Sequence, residues 1–198
     1  MARHEPLPER ELRERLRLGE RTVALSLSAK RPHKNLLALI GALALIAAER
    51  RPLLVLPGYP TEHEASLRER ARTAGVEGDV RFLDWLSGEE FEGLWQVARA
   101  FVYPSLYEGF GLPLLEAMAR GVPVACSNAS SLPEVAGEAA LLFNPHDERA
   151  IASALERLLS DQAEVERLRA RGLERVRQFT WERTARLTLE SYGRALRN

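Results

Sequence analysis

The chain has one cysteine, no long apolar run and no net charge, and each of these absences removes a class of protein. A single cysteine, Cys126, in 198 residues excludes a disulfide scaffold. It lies in an apolar segment and reads as a small core residue. The longest apolar run, residues 36–48, falls short of the ~20 residues that span a bilayer. It reads as a buried helix. The 28 basic and 28 acidic side chains cancel, which gives no support to a nucleic-acid or anionic-membrane partner. The N-terminus mixes Arg and Glu without an apolar core. No secretory signal is therefore expected, and the cytoplasm is the expected location. There is no Asp-x-Asp and no His/Cys/Asp cluster at ligand spacing, so no metal is expected. No Gly-x-Gly-x-x-Gly follows the first apolar segment, which leaves a nicotinamide or flavin cofactor unsupported.

What is present is an alternation of short apolar segments with helical patterns. Strands are expected at 22–28, 52–57, 80–83, 100–103, 122–126 and 139–143. Helices are expected at 7–18, 34–50, 61–74, 87–98, in the Pro113 segment, and at 147–160, 162–178 and 180–196. That order predicts an α/β fold, a single Rossmann-like, doubly wound parallel sheet of about six strands with extra C-terminal helices. One domain over residues 1–198 has length enough for a sizeable core. Ser87 reads as a helix cap, and Ser131 with Glu134 has capping-box spacing. The apolar residues of the last helix, Trp181, Leu187, Leu189 and Tyr192, read as structural.

The most informative stretch is Pro104-Ser-Leu-Tyr-Glu108-Gly-Phe-Gly-Leu-Pro-Leu-Leu-Glu116-Ala-Met-Ala-Arg-Gly121. The Glu-x7-Glu spacing says little alone, because it recurs at Glu69/Glu77, Glu148/Glu156 and elsewhere. Context separates this pair. Gly109 and Gly111 flank Phe110, so the backbone can turn and approach a ligand. Pro113 suits a first helical turn. Strand, glycine loop and helix N-terminus together offer carboxylates for hydroxyls and backbone N–H groups for a diphosphate. A basic segment, Lys30-Arg-Pro-His-Lys34, follows the first strand and falls on the same sheet edge.

Several elements occur in a recognisable order: Lys30-Arg-Pro-His-Lys34-Asn35, Leu54-Val-Leu-Pro-Gly58, Val80-Arg-Phe-Leu83, the Glu108–Glu116 stretch, Ser131-Leu-Pro-Glu134 and Phe179-Thr-Trp-Glu182. Over residues 22–196 the chain resembles the C-terminal, nucleotide-sugar-binding domain of retaining GT-B glycosyltransferases, the group 1 glycosyl transferases. The resemblance implies that Glu108 contacts the transferred sugar, the catalytic position, and that Glu116 holds the ribose. It implies that Lys34 and the backbone of Gly109, Phe110, Gly111 and Leu112 hold the diphosphate, and that the main chain near Leu83 reads the base edge. The family's second cation is an arginine in a Gly-Arg pair. Ser28 and Ala29 stand there instead, so Lys30 or Arg31 must substitute. Gly58 reads equally as a ligand approach or a plain turn, and Trp85 as core or pocket. Ser131 and Glu134 are assigned no chemistry.

The resemblance implies a nucleoside-diphosphate-sugar donor, no other cofactor and no metal. It also implies an N-terminal acceptor domain absent from these residues. The last helix packs on that domain in the family, so here it must fold back, pair with another copy or fray. Two rivals remain: a nucleotide-sugar-binding module without turnover, and a sugar-nucleotide epimerase. The His-Lys-Asn wording leans towards mannosyl transfer.

Overall fold

A computed structural model describes residues 4–197. Six strands form one all-parallel sheet: β1 (Val23–Leu25), β2 (Leu53–Pro57), β3 (Val80–Leu83), β4 (Ala98–Tyr103), β5 (Val124–Ser127) and β6 (Ala140–Phe143). Their order is β3-β2-β1-β4-β5-β6. The helices are α1 (Glu9–Arg15), α2 (Leu36–Leu45), α3 (His63–Thr73), α4 (Gly88–Val97), α5 (Leu112–Ala119), α6 (Leu132–Ala136), α7 (Glu148–Ser160), α8 (Gln162–Val176) and α9 (Trp181–Ala195). No helix among the described residues is long and apolar enough to cross a membrane.

The central strands are apolar on both faces because helices cover both. Side chains alternate by the period of two of a strand. Val23, Leu25, Phe101, Tyr103, Val124 and Cys126 point into one core, with Leu12, Leu94, Trp95, Leu114 and Leu132. Ala24, Leu54, Leu56, Ala100, Val102 and Ala125 point into the other, with Leu36, Ile40, Leu67 and Ile151. Helices α1, α4, α5 and α6 therefore lie on one face and α2, α3 and α7 on the other. Burial pushes the Cys126 thiol up to about 12, which leaves it an inert core group.

Three expectations need correction. The helix expected over 34–50 is shorter. Asn35 takes a left-handed conformation (φ 56°) before it, Ile46 is extended after it, and two 3₁₀ turns flank it. The first helix, expected over 7–18, spans only Glu9–Arg15; Leu12 and the following Leu16 anchor it in the core, and Arg15 pairs with Glu90 on α4 at 3.1 Å. The apolar residues of the last helix do not join the core: none of its residues is buried, and Trp181 and Leu189 are 82% and 69% exposed.

Candidate functional site

Strand order reverses between β1 and β4, so the loops that follow them diverge and open a crevice at the carboxyl edge of the sheet. Two bonds hold these loops side by side, and a third ties them to the loop after β6. Leu106 N–H donates to His33 O at 2.8 Å. The Asn35 amide donates to Pro104 O at 3.2 Å and to Pro145 O at 2.7 Å. Asparagine tolerates the left-handed backbone that this bridge requires.

The bridge brings Lys34 to Glu108. Lys34 Nζ donates to Glu108 Oε1 at 2.5 Å and to Tyr103 Oη at 3.1 Å, and the two charged side chains are only 15% and 13% exposed. Burial alone would raise the Glu108 pKa. Lys34 and the hydroxyls of Ser105 and Tyr103 outweigh it, and the carboxyl titrates below its ordinary value. Burial first, then the adjacent Glu108, pushes the Tyr103 phenol far up, so it stays neutral.

The Glu108 loop is held by two serines: Ser130, which sequence reasoning passed over, and Ser131, which it read as a helix cap. Ser130 Oγ donates to Glu108 O at 2.7 Å and accepts from Glu108 N–H at 3.2 Å. Ser131 Oγ reaches Glu108 O and Phe110 O, each at 3.0 Å. The capping box expected of Ser131 and Glu134 does not form, because this hydroxyl is turned to the loop. Gly111, the residue before α5, has φ +100°, and a Cβ there would lie 2.6 Å from Leu132 Cδ2. No side chain caps α5; Pro113 brings no N–H to its first turn, and the Leu114 N–H donates to Gly111 O at 3.0 Å. Phe110 packs edge-on against Phe179, at 5.8 Å between ring centroids.

Beside the loop lies a cavity of about 690 Å³ lined by Ser28, Gly58, Trp85, Glu92, Glu116 and Arg120, among others. The resemblance implied Glu116, and Gly58 was open between a ligand approach and a plain turn; sequence reasoning missed Glu92 and Arg120. Gly58 has φ +146°, and a Cβ on it would lie 2.0 Å from Ser28 O, so only glycine lets the β1 and β2 loops meet. Ser28 Oγ is buried without a hydrogen-bond partner among the described residues. Trp85 is 75% exposed on the rim, its ring centroid 5.2 Å from that of Tyr59, which removes the core reading. Glu116 titrates above the ordinary carboxylate value because it is buried; Arg120 opposes the shift and Glu92 adds to it.

Lys30 does not join the crevice. It is fully buried, and its ammonium donates to Gly58 O at 2.6 Å and Leu83 O at 2.9 Å while pairing with Glu64 at 3.1 Å. An ammonium has three protons, and three acceptors surround this one. The Leu83 carbonyl also accepts from Gly58 N–H at 3.1 Å. Lys30 and Leu83 therefore tie together the ends of β1, β2 and β3, and the cavity wall begins one residue later, at Asp84. Arg31 is exposed next to Lys30. Lys30 and Lys34 are the only lysines among the 28 basic residues. Both sit where a compact three-donor head reaches separate acceptors, a task for which a planar guanidinium is ill suited.

The sequence matches the family described as glycosyl transferases group 1 over residues 8–175. O-antigen chain mannosyltransferase B of Escherichia coli is 42% identical over 171 residues, covering 85% of this chain and 45% of that protein. An MMP alpha-(1->4)-mannosyltransferase of Mycolicibacterium hassiacum is 36% identical over 189 residues, 91% of this chain and 44% of the relative. Sucrose-phosphate synthase from Thermosynechococcus elongatus superposes with a TM-score of 0.75 at 28% identity, over 97% of this chain and 49% of that one. Anabaena HepE, solved in complex with UDP and glucose, gives 0.82 at 21% identity over 93% and 52%, a likeness of fold. The chain thus spans about half the length of these relatives. The family match runs from α1 into α8 and takes in all six strands and both loops of the crevice, so this chain belongs to the group 1 glycosyl transferases.

Proposed function

We propose that this chain is the nucleotide-sugar-binding half of a retaining glycosyltransferase. The whole enzyme moves a hexosyl group, mannosyl or glucosyl, from a nucleoside-diphosphate sugar to an acceptor. The observation that carries the reading is that Glu116 and Gly58 line one cavity, while Lys34 and Glu108 pair on the loops after β1 and β4, where strand order reverses. In this reading the base and ribose lie in the cavity, with the ribose diol on Glu116. The diphosphate lies across the N-terminus of α5, with Lys34 and Arg31 as its cations, since Lys30 is committed elsewhere. The sugar reaches Glu108. Positive charge beside the bridging oxygen stabilises the departing nucleoside diphosphate. The mannosyltransferases among the relatives favour a mannosyl donor.

A second reading is a nucleotide-sugar-binding module without turnover; the chain spans about half the length of its relatives. The two differ in what a second domain adds. One wall of a cleft leaves the anomeric carbon open to solvent and orients no acceptor. The exposed stripe of α9 fits packing against that domain, or against a second copy of this chain. Residues 1–198 alone are expected to bind donor and give negligible transfer. Incubation with donor sugars and a panel of sugar and lipid acceptors tests this. Acceptor-dependent product that disappears in Glu108→Ala would show that the chain is complete by itself.

Protein cations serve here in place of a metal, so affinity for UDP or GDP is expected to survive EDTA. The Lys34–Glu108 contact adds a less obvious expectation. Glu108 competes with a diphosphate for the Lys34 ammonium. Glu108→Gln should therefore tighten binding of the bare nucleoside diphosphate by about fivefold, near the upper value for a part-exposed ion pair. The same change should weaken the sugar nucleotide relative to the diphosphate. Calorimetry on both ligands measures the two effects. Abolition of binding by EDTA, or equal weakening of both ligands by Glu108→Gln, would contradict this arrangement.

A further inference from the structure

The Glu92–Arg120 pair lines the cavity, yet neither the sequence motifs nor the reading above uses it. Arg120 is the C-cap of α5, four residues after Glu116. Its guanidinium donates to Glu92 on α4 through Nε at 2.9 Å and Nη2 at 2.5 Å, a bidentate contact. Its remaining nitrogen, Nη1, donates to the backbone carbonyl of Glu116 at 3.1 Å. The guanidinium carbon sits 5.4 Å from the Trp95 ring centroid and 5.8 Å from that of Phe91. Both charged side chains are nearly buried, 11% and 12% exposed. Salt bridge, backbone bond and ring contacts together fix one rotamer of a long side chain.

We propose that Arg120, clamped by Glu92 and by the aromatic pair, is a positioning residue for Glu116. It places a fixed positive charge on the cavity wall beside Glu116 and so favours the carboxylate form that the ribose diol needs. This inference rests on the reading of Glu116 as the ribose carboxylate. The physical argument is one of charge. Two carboxylates, Glu92 and Glu116, line one cavity, and like charges in a shared site favour protonation of one of them. A protonated carboxyl loses part of its capacity to accept from two hydroxyls. The guanidinium on the same wall offsets that repulsion, and its bond to the Glu116 carbonyl ties it to the same turn of α5.

The groups that bear on Glu116 are Arg120 on its own helix, Glu92 on α4 and Tyr103 on β4, with His4 and Asp84 on the walls of the same cavity. Burial raises Glu116 above the ordinary value, with Arg120 lowering and Glu92 raising it. Affinity that needs the carboxylate is therefore full above the Glu116 pKa and falls as pH drops through it. Removing Arg120 moves this acid limb to higher pH. Removing the Glu92 charge moves it to lower pH, and also frees Arg120 for Glu116.

The test is the pH dependence of UDP and GDP affinity in wild type, Arg120→Gln, Glu92→Gln and Glu116→Gln. His4, Asp84 and the phosphate's own titration are common to all four proteins and cancel in the differences. The expected result is an acid limb displaced in opposite directions by Arg120→Gln and Glu92→Gln, and absent in Glu116→Gln. A merely structural brace predicts something else, because both substitutions break the same contact and would weaken binding alike. Parallel effects of the two changes, with Glu116→Gln still impaired, overturn the positioning role alone. Wild-type affinity in Glu116→Gln at every pH overturns the ribose reading, and this inference with it.

Discussion

Lys30→Ala is expected to lower the free energy of unfolding by about 3 kcal/mol, the lower end for breaking a buried ion pair. The substitution leaves Gly58 O without a side-chain donor and removes one of the two donors to Leu83 O. It also strips one cation from Glu64, which is 13% exposed. Arg68, at 2.6 Å, still neutralises Glu64 and keeps the cost from rising further. The Thr61 hydroxyl, which donates to Lys30 O, still anchors the backbone of the turn. Urea denaturation measures the loss, and a change below about 1 kcal/mol, the ordinary surface range, would show that the ammonium is not a lock.

The pH dependence follows from Glu64. Burial opposes its ionisation, but bonds to Arg68 and Lys30 outweigh burial and lower its pKa. A lowered folded pKa contributes stability above the unfolded value, and that contribution is lost as pH falls through the folded one. Wild-type stability should therefore decline on acidification below the ordinary carboxylate range. The decline should be shallower in Lys30→Ala, where one of the two stabilising cations is gone.

Lys30 also marks where sequence reading ends. A lysine in a loop at a ligand-binding edge has the chemistry to meet a phosphate, and nothing local says that it turns inward. The three acceptors that hold it come from positions 58, 64 and 83, a set that only the folded sheet edge assembles. Ser131 teaches the same lesson. Its spacing to Glu134 fits a capping box, but the neighbouring loop offered two carbonyls and took the hydroxyl. Ser87 and Glu90 have the same spacing, no competing loop, and form the box in full. The strands were legible because burial on both faces leaves unbroken apolar runs; β3 has the expected bounds. The end of α2 was not, since the apolar run continues past the turn at Ile46. Periodicity gave α9 its apolar stripe but could not say what covers it. Arg120 had a local signal, its i, i+4 relation to Glu116, which the prominence of the two glutamates obscured.

The largest effect on ligand binding is expected at Glu116. It stands on α5 in the wall of the cavity, one turn behind the uncapped helix start that would meet the diphosphate. No hydrogen bond among the described residues reaches its carboxylate oxygens, and Arg120 bonds only its main-chain carbonyl. A carboxylate so placed can accept from both hydroxyls of a ribose. Removal of a charge-assisted bond of this kind costs about 1.5–3 kcal/mol, or roughly ten- to a hundredfold in affinity. The side chain is at a helix surface facing a cavity, so its loss creates no packing void in either core and the fold should persist.

Calorimetric titration of the chain with GDP-mannose, UDP-glucose and UDP-GlcNAc, for wild type and Glu116→Ala, therefore tests the donor-binding account most directly. The account predicts one site per chain for at least one of the three donors, and a loss of roughly ten- to a hundredfold in Glu116→Ala with unchanged circular dichroism. Binding of none of them, or equal affinity in the two proteins, would contradict it.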